Sequence, residues 1–306
     1  MSRTIITSAP GKLMLMGEHA VLCGHHCLAC AIDQRVTVTL QERTDSQVII
    51  ESALGRTETN VRALKPVAPH EFVLEALSTV GLDTGCELRI ESEFTSTLGL
   101  GSSAAVTAAT VAAAVRLRSS LVTPDAVFVH GRSVIQEVQG TGSCADLAAS
   151  VYGGVLVYRS EPLSIEPIAD TLPLVVINSG AKDPTVRVVQ QVRAQAKAEP
   201  EVYRALFEAM NTTSLKCAEA ILSEDWPRVG QLWNVNHGLL EAIGVVHAPL
   251  ARIVHTLREA PGILGAKVSG AGLGDCAIGL GQGSGDFLGT RIPLQVSARG
   301  VEVQDG

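Results

Sequence analysis

The stretch TSTLGLGSSAAVTAAT, residues 95–110, constrains this chain more than any other. Its second half opens an alanine-rich run, 104–116, whose residues have a high intrinsic helix propensity. Two glycines and two serines precede that run, so the stretch predicts a loop that leads into a helix N-terminus, where backbone N–H groups are unpaired. Two interpretations follow from these residues alone. Either Ser102 or Ser103 caps the helix, or the glycines let a phosphate approach the N–H groups.

The composition limits the possible functions. The 306 residues are 46% hydrophobic and 18% charged, which is enough for about two domains with sizeable cores. A formal net charge of −7, without a run of Lys or Arg, argues against a nucleic-acid partner. No charge-free apolar window reaches about 18 residues, and the first residues lack the apolar segment of a secretory signal. We therefore expect a cytoplasmic protein with no nucleic-acid partner and no membrane partner.

The seven cysteines are expected to be free thiols, because a chain of this size does not need disulfides for stability. Cys23, Cys27 and Cys30 have the C-x3-C-x2-C spacing of some iron–sulfur sites, with two histidines between the first two. The segment 27–32 is apolar, however, and continues into an alternating strand. This favours small buried side chains that pack like alanine over cluster ligands.

Alternation and turn residues predict a mixture of strands and helices. The predicted strands are 3–8, 12–16, 29–42, 47–52, 87–93, 155–158, 174–178, 265–269, 276–280 and 295–303. The predicted helices are 70–80, 104–116, 124–139 and a block from 186 to about 260, broken near 225–227 and at Gly244. Elements mixed without a regular βαβ repeat predict an α+β chain, which we divide into two domains, 1–165 and 166–306.

Two further glycine motifs and one acid could carry chemistry. In SAPGKLMLMGEHAVLCG, residues 8–24, strand alternation would place Lys12 and Glu18 on one face. In GAKVSGAGLGDC, residues 265–276, glycines at alternate positions suit a loop pressed against a ligand or against another backbone. Between these motifs, Asp146 follows a glycine-rich turn and opens an apolar helical stretch. It is either a first-turn helix acid or a carboxylate for phosphoryl transfer to an alcohol.

Together these motifs resemble the GHMP small-molecule kinases, although the chain has no Walker-type or protein-kinase motif. PGKLMLMGEHAV, GLGSSAA and GAKVSGAGLGDC follow the order of the family's three signatures, and the resemblance covers nearly the whole chain. It implies an N-terminal domain like the second domain of ribosomal protein S5 and a ferredoxin-like C-terminal domain. It also favours phosphate binding over capping at the glycine–serine loop.

The resemblance implies a role for each motif residue. Asp146 accepts the alcohol proton, and Lys12 stabilises the alkoxide and the transferring phosphoryl group, so both contact the substrate. Glu18 and His19 line the substrate side, and Ser103 is the expected Mg²⁺ ligand. The residues expected to bind ATP are Gly99, Leu100, Gly101, Ser102, Ser103, Ala104, Gly270, Ala271 and Gly272. The expected cofactors are therefore ATP and Mg²⁺.

Within the family, GEHAV and VQGTGSCAD resemble mevalonate kinases, whereas DLAASVYGG and the GDC of the third motif are more similar to phosphomevalonate kinases. The first resemblance implies ATP-dependent phosphorylation of mevalonate to 5-phosphomevalonate in isoprenoid precursor biosynthesis. The alternatives are a phosphomevalonate kinase and a non-catalytic ligand sensor. A phosphate-monoester acceptor would need further cations, for which Arg3, Lys182, Arg187 and Arg193 are candidates. The family also implies a homodimer.

The sequence departs from the family pattern at two positions. Mevalonate kinases usually carry a Mg²⁺-binding glutamate eleven residues before the catalytic acid, and this chain has Ile135 there. Glu137 is near, but two residues turn a helix by about 200°, so its side chain should point elsewhere. Leu273 stands where the family usually has another glycine, and this should stiffen the loop of the third motif.

Overall fold

Twelve strands and eight α-helices form the regular structure of the described residues, 3–140, 142–181 and 183–305, in a computed structural model of the chain. The strands are β1 Thr4–Met16, β2 Cys27–Glu42, β3 Gln47–Ser52, β4 Gly55–Asn60, β5 Cys86–Ser92, β6 Val155–Ser160, β7 Leu163–Ala169, β8 Leu174–Asn178, β9 Ile263–Ser269, β10 Cys276–Gly281, β11 Thr290–Ile292 and β12 Glu302–Asp305. The helices are α1 Glu71–Val80, α2 Ser102–Arg118, α3 Pro124–Gln139, α4 Ala145–Tyr152, α5 Thr185–Ala198, α6 Pro200–Leu222, α7 Trp226–Ala242 and α8 Ala248–Glu259.

The larger sheet has eight strands in the order β12-β1-β2-β5-β3-β4, and β6 pairs with both β2 and β7. The long strands β1 and β2 are antiparallel, from Thr4 opposite Gln41 to Met16 opposite Leu28. Helices α1 to α4 cover one face of this sheet and share a hydrophobic core with it. The register of β1 shifts on both sides of Lys12, and this irregular region faces the site described below.

The smaller sheet has four antiparallel strands in the order β11-β8-β10-β9. Helices α5 to α8 enclose a second core against it, built from residues such as Val188, Phe207, Leu240 and Val254. The chain thus has two mixed layers of helices on sheets, and the predicted α+β class is confirmed. No helix in the described part of the chain is long and apolar enough to cross a membrane.

The alanine-rich helix α2 lies inside the larger layer. Its alanines from Ala104 to Ala114 are almost completely buried, so the helix is enclosed on all sides rather than amphipathic. Small side chains let β1, β2, α1, α3 and α4 all approach it. The hydroxyl of Thr7 in β1 donates to the carbonyl of Ala109 at 2.8 Å. These contacts hold the N-terminus of α2 beside the middle of β1.

Several predicted elements are confirmed with their bounds, among them 47–52, 124–139 and 174–178. The separation of 3–8 from 12–16 is wrong, because β1 continues through Pro10 and Gly11. Gly11 is needed for a close approach rather than a turn, since an added Cβ would lie 2.8 Å from the carbonyl oxygen of Leu100.

The strand predicted over 295–303 is also wrong. Residues 295–301 lie outside the named strands, and Val296 among them forms only an isolated bridge with Ile32. Strands β4 and β7 were not predicted, because their side chains are largely exposed and do not alternate clearly in polarity. The boundary expected after residue 165 falls within β7, and the division into 1–165 and 166–306 stays a prediction.

Candidate active site

The side chain of Lys12 lies where the first two glycine motifs meet. Lys12 follows a bulge in β1, and its backbone N–H donates to the carbonyl oxygen of Leu100 at 2.8 Å. Its Nζ lies 3.0 Å from Oδ2 of Asp146. The stem of the side chain crosses Gly101, where an added Cβ would lie 2.6 Å from Cγ of Lys12. Any residue larger than glycine at position 101 would therefore displace the lysine.

The N-terminus of α2 opens towards this lysine. Gly101 is the N-cap residue, with a φ of 79°, and no side chain caps the helix. Ser102 and Ser103 lie inside the first turn, which contains no acidic residue. The interpretation of a serine cap is therefore wrong. The first-turn N–H groups and the positive end of the helix dipole suit an external anion.

Asp146 lies in the first turn of α4, as the sequence predicted. The residue before this helix start, Cys144, has a φ of 62°, and the carbonyl oxygen of Ser143 accepts a hydrogen bond from the hydroxyl of the buried Tyr158. The backbone that leads into α4 is thus attached to β6. The carboxylate of Asp146 is 44% exposed towards the cavity, while its partner Lys12 is 8% exposed.

The electrostatics of Lys12 depend on two carboxylates. Burial by itself would lower the pKa of Lys12, but the charge and hydrogen bond of Asp146, together with the charge of Asp275, raise it above its usual value. Lys12 therefore remains cationic through the neutral pH range. A fixed cation beside a carboxylate can stabilise developing negative charge while the carboxylate accepts a proton.

Glu18 does not lie on one strand face with Lys12, so that interpretation is wrong. The strand ends at Met16, and Gly17, with a φ of 80°, turns the chain before Glu18. The Glu18 carboxylate, 2% exposed, instead accepts a hydrogen bond from Nζ of Lys267 in β9. Burial lowers the pKa of Lys267, and the charge and hydrogen bond of Glu18 partly offset this effect.

His19 joins the first motif to the third. Its Nε2 lies 2.8 Å from the carbonyl oxygen of Ala271, so Nε2 carries the proton and donates. Burial lowers the pKa of His19, although the Ala271 carbonyl and Glu18 partly offset this effect. Gly272 is pressed against backbone rather than a ligand, because an added Cβ would lie 2.3 Å from the carbonyl oxygen of Val245.

The loop of the third motif also brings a carboxylate to the site. An added Cβ at Gly99 would lie 2.5 Å from Oδ1 of Asp275, which is 9% exposed. Asp275 and Leu273 have φ values of 62° and 56°, in the left-handed region that costs a non-glycine residue about 1–2 kcal/mol. The N–H of Leu273 donates to Val245 at 2.8 Å, which holds the loop in this conformation.

Lys12, Glu18, His19, Asp146 and Asp275 line one cavity of about 1530 Å³. It includes most of the predicted site residues, namely Lys12, Glu18, His19, Gly99, Gly101, Ser102, Ser103, Ala104, Asp146, Gly270 and Ala271. Leu100 and Gly272 are not part of the lining. Beyond Gly99 the cavity continues along Phe94 and Thr95 to Phe72, His70 and the β3–β4 turn at Leu54.

The sequence did not predict this arm of the cavity, from Phe94 to Leu54. It also did not predict the pairing of Lys267 with Glu18 or the approach of Asp275 to Lys12. A lysine inside the otherwise apolar strand β9 was the one available signal for Lys267. The arm offered no such signal, because its residues come from three separate segments and have no shared pattern.

Ile135 and Glu137 lie as the helix geometry predicted. Ile135 is 6% exposed and contributes an apolar wall to the cavity, whereas Glu137 is exposed and outside the lining. Glu137 therefore does not replace the family's metal-binding glutamate. The described residues contain no group of three or more His, Cys, Asp or Glu that could hold a metal by themselves.

The cysteine triad does not form a site. Cys27 and Cys30 are buried in β2 and belong to different hydrophobic cores, while Cys23 lies at the surface at the end of a short 3-10 helix. Burial raises the pKa of Cys30 to about 12, as expected for a thiol that packs like a small apolar side chain.

The described candidate cations for a phosphorylated acceptor lie outside the cavity. Arg3 donates to the carbonyl oxygens of Arg116 and Leu117, and Arg187 lies 3.6 Å from Asp183. The charge of Arg193 acts to lower the pKa of the Cys23 thiol, against the larger effect of burial, and Arg193 does not line the cavity. Lys182 lies outside the described residues. In the described part of the chain, the cavity lining takes its Lys and Arg side chains from Lys12 and Arg89, and Arg89 is paired with Glu91.

Comparison with known proteins shows which family this chain is similar to. Residues 67–154 match the family model of the GHMP kinases N terminal domain, 217–291 match GHMP kinases C terminal, and 2–42 match the galactokinase galactose-binding signature. A mevalonate kinase from Thermococcus sibiricus is 33% identical over 98% of both chains.

Two solved structures have the same fold. The Lin0012 protein from Listeria innocua has a TM-score of 0.87 at 22% identity, over 99% of this chain and 100% of that one. The mevalonate kinase of Methanococcus jannaschii has a TM-score of 0.75 at 25% identity, over 90% of both chains. On the strength of the full-length relative and the two matched domains, this chain belongs to the GHMP kinase family.

Proposed function

We propose that this protein is a mevalonate kinase, which transfers the γ-phosphoryl group of ATP to the primary hydroxyl of mevalonate. One observation carries the proposal: the buried Lys12 bonds Asp146 directly in front of the uncapped N-terminus of α2, within a single cavity. The full-length relative, itself named a mevalonate kinase, supports the choice of acceptor.

The residues around the N-terminus of α2 fit a triphosphate. The first-turn amides have no side-chain cap, and the first turn of α2 contains no acidic residue. We assign the phosphates to Gly99–Ser103 and the nucleoside to the arm along Phe94 and Phe72, because that arm continues the cavity away from Asp146. Ser103 would bind Mg²⁺ through its hydroxyl, and oxygens of the nucleotide phosphates would supply further ligands.

Asp146 and Lys12 have complementary tasks in this proposal. When bound, MgATP supplies the electrophilic phosphoryl group. Asp146 accepts the proton of the acceptor hydroxyl, and its partial exposure to the cavity lets the substrate reach it. Lys12 holds that carboxylate in place and stabilises the negative charge that develops on the reacting oxygens. Positioning in a closed site contributes most of the remaining rate.

The phosphomevalonate kinase alternative is less well supported. A phosphate-monoester acceptor carries two more negative charges than a hydroxyl and would need cations at the acceptor end. Among the described residues that line the cavity, Lys12 lies at the acceptor end, and it already pairs with Asp146. Arg89 lies on the arm assigned to the nucleoside, where it pairs with Glu91. A ligand sensor is disfavoured for a different reason, since a non-catalytic protein has no need of the Asp146–Lys12 pair.

The test is coupled ADP release with MgATP, with mevalonate and 5-phosphomevalonate compared as acceptors. We expect turnover with mevalonate and none with the phosphorylated acceptor. The reverse result would assign the phosphomevalonate kinase function. ATP binding without ADP formation from either acceptor would favour the sensor. A cytoplasmic location belongs to the same proposal, and the homodimer stays a prediction that light scattering tests.

A further inference from the structure

We propose that Tyr158 is a positioning residue for the catalytic base: its hydroxyl fixes the carbonyl of Ser143, and so fixes the turn from which Asp146 enters the cavity. The inference rests on the kinase function proposed above and adds a residue that acts on the same site from outside it. Tyr158 does not line the cavity, whereas Ser143, Cys144 and Asp146 do. Any effect of Tyr158 on the reaction must therefore pass through this turn.

The turn that leads into α4 has a conformation that needs support. Cys144 has a φ of 62°, in the left-handed region that is unfavourable for a residue with a Cβ. Such a conformation persists where the surrounding structure holds it. The side chain of Cys144 makes no capping hydrogen bond, and Oγ of Ser143 accepts a long one, 3.3 Å, from the N–H of Ala145. These local contacts leave the carbonyl of Ser143 to be held from elsewhere in the fold.

Tyr158 supplies that contact. Its hydroxyl donates to the carbonyl oxygen of Ser143, and the tyrosine itself is 0% exposed. In the larger sheet it lies between Cys27 of β2 and Ile165 of β7, so its strand is paired on both sides. Burial raises the pKa of the Tyr158 hydroxyl, which therefore stays protonated and remains a donor. A rigid strand thus holds the residue that precedes Cys144.

The path from this hydrogen bond to the reacting groups is short. Asp146 follows Ser143 in the first turn of α4, and its Oδ2 lies 3.0 Å from Nζ of Lys12. A turn that relaxed out of the left-handed conformation would rotate the start of α4 and move that carboxylate. A displacement of about 1 Å can cost about a hundredfold in rate. Tyr158 therefore contributes to the rate by holding the base, without contact to either substrate.

Tyr152 offers a matched control in the same aromatic cluster. The rings of Tyr152 and Tyr158 both pack against Phe128, with centroid distances of 6.0 and 6.4 Å. The hydroxyl of Tyr152, however, donates to Oδ1 of Asp125 at 2.6 Å, and neither of these two residues lines the cavity. Y152F and Y158F therefore remove the same atom from the same cluster, and they differ in which group loses its hydrogen bond.

The experiment is a double-mutant cycle on kcat with five proteins: the wild type, Y158F, Y152F, D146N and D146N/Y158F. Because phenylalanine keeps the packed ring, Y158F should fold, and each protein is assayed well below its measured thermal midpoint. We expect kcat to fall at least about tenfold in Y158F and to stay within about twofold of the wild type in Y152F. The MgATP KM should change less than about twofold in both, because the glycine–serine loop, Gly99–Ser103, keeps its contacts.

The D146N background separates positioning from a general structural role. If Tyr158 acts by holding Asp146, the asparagine variant has no base left to misplace, and D146N/Y158F should keep the kcat of D146N within about twofold. The same loss in both backgrounds would show that Tyr158 supports the fold rather than the base. A wild-type kcat in Y158F would show that its hydrogen bond is dispensable. Either result overturns the proposal.

Failure of the proposed function gives a different pattern. If the wild type gave no ADP from mevalonate, the choice of acceptor would be wrong, and the same cycle run with the acceptor that is turned over would decide the role of Tyr158. Wild-type turnover in D146N would remove the base itself, and the positioning proposal with it.

Discussion

The stem of Lys12 occupies the space that a side chain at position 101 would fill, since an added Cβ at Gly101 would lie 2.6 Å from Cγ and 2.8 Å from Cε of the lysine. Lys12 is buried and bonded to Asp146, so it has little freedom to move aside. The glycine of the second motif is therefore needed for the lysine of the first as well as for the phosphates.

The substitution Gly101→Ala tests this relationship. We expect kcat/KM to fall at least about a hundredfold, because Lys12 loses its place beside Asp146. Gly140→Ala is the matched control. Gly140 also has a positive φ, 65°, at a helix end, but nothing lies within 4 Å of its added Cβ. Both variants should lose about 1–2 kcal/mol of stability from backbone strain, and G140A should keep its activity. Equal activity in the two variants would contradict the steric argument.

Asp146→Asn removes the base while it keeps the shape of the side chain. We expect kcat to fall at least about a hundredfold with little change in ATP affinity, measured by calorimetry. Asp125→Asn is the comparison, because Asp125 is also a first-turn helix acid but lies outside the cavity lining. D125N should stay within about twofold of the wild type. Wild-type turnover in D146N would mean that another group accepts the proton.

Ser103→Ala should weaken the dependence on Mg²⁺. With Ile135 in the cavity wall instead of a carboxylate, the protein offers few metal ligands, and the loss of one should raise the half-saturating Mg²⁺ concentration about tenfold. Ser102→Ala, at the neighbouring position of the same helix turn, should leave the Mg²⁺ titration unchanged. If the two variants titrate alike, the metal is held without Ser103.

The buried His237 should make stability depend on pH. Burial, with the nearby charges of Arg258, Lys267 and His255, lowers the pKa of His237 to about 3, and the carboxylate of Glu241 lies 3.6 Å away without reversing this effect. The unfolded chain binds the proton near pH 6.5 and the folded chain does not. The stabilisation is therefore complete above pH 6.5 and is lost as the pH falls towards 3.

Denaturant unfolding of the wild type and His237→Gln between pH 7 and pH 5 measures this contribution. For each pH unit below 6.5, the free energy of unfolding of the wild type should fall by about 1.4 kcal/mol more than that of the glutamine variant. At pH 5 the difference should reach about 2 kcal/mol. The difference between the two proteins cancels the titration of the carboxylates. Parallel curves would show that His237 is protonated in the folded state.

The local features of the site could be predicted from the sequence, and its long-range partners could not. The positions of Asp146 at a helix start and of Ile135 and Glu137 on α3 follow from helix geometry, which depends on near neighbours. The partner of Glu18 is Lys267, which lies almost at the other end of the chain, and no periodicity connects them. The contact of Gly272 with Val245 likewise required the fold.

Strand β12 has a consequence for how the protein is made. It pairs with β1, with Ser8 opposite Glu302, so the strand that carries Lys12 has a neighbour encoded near the far end of the sequence. A ribosome that has finished β1 must add residues 17–305 before this edge can be filled. Until then β1 presents unpaired N–H and C=O groups, which other chains can join. We expect the nascent chain to rely on chaperones during this interval.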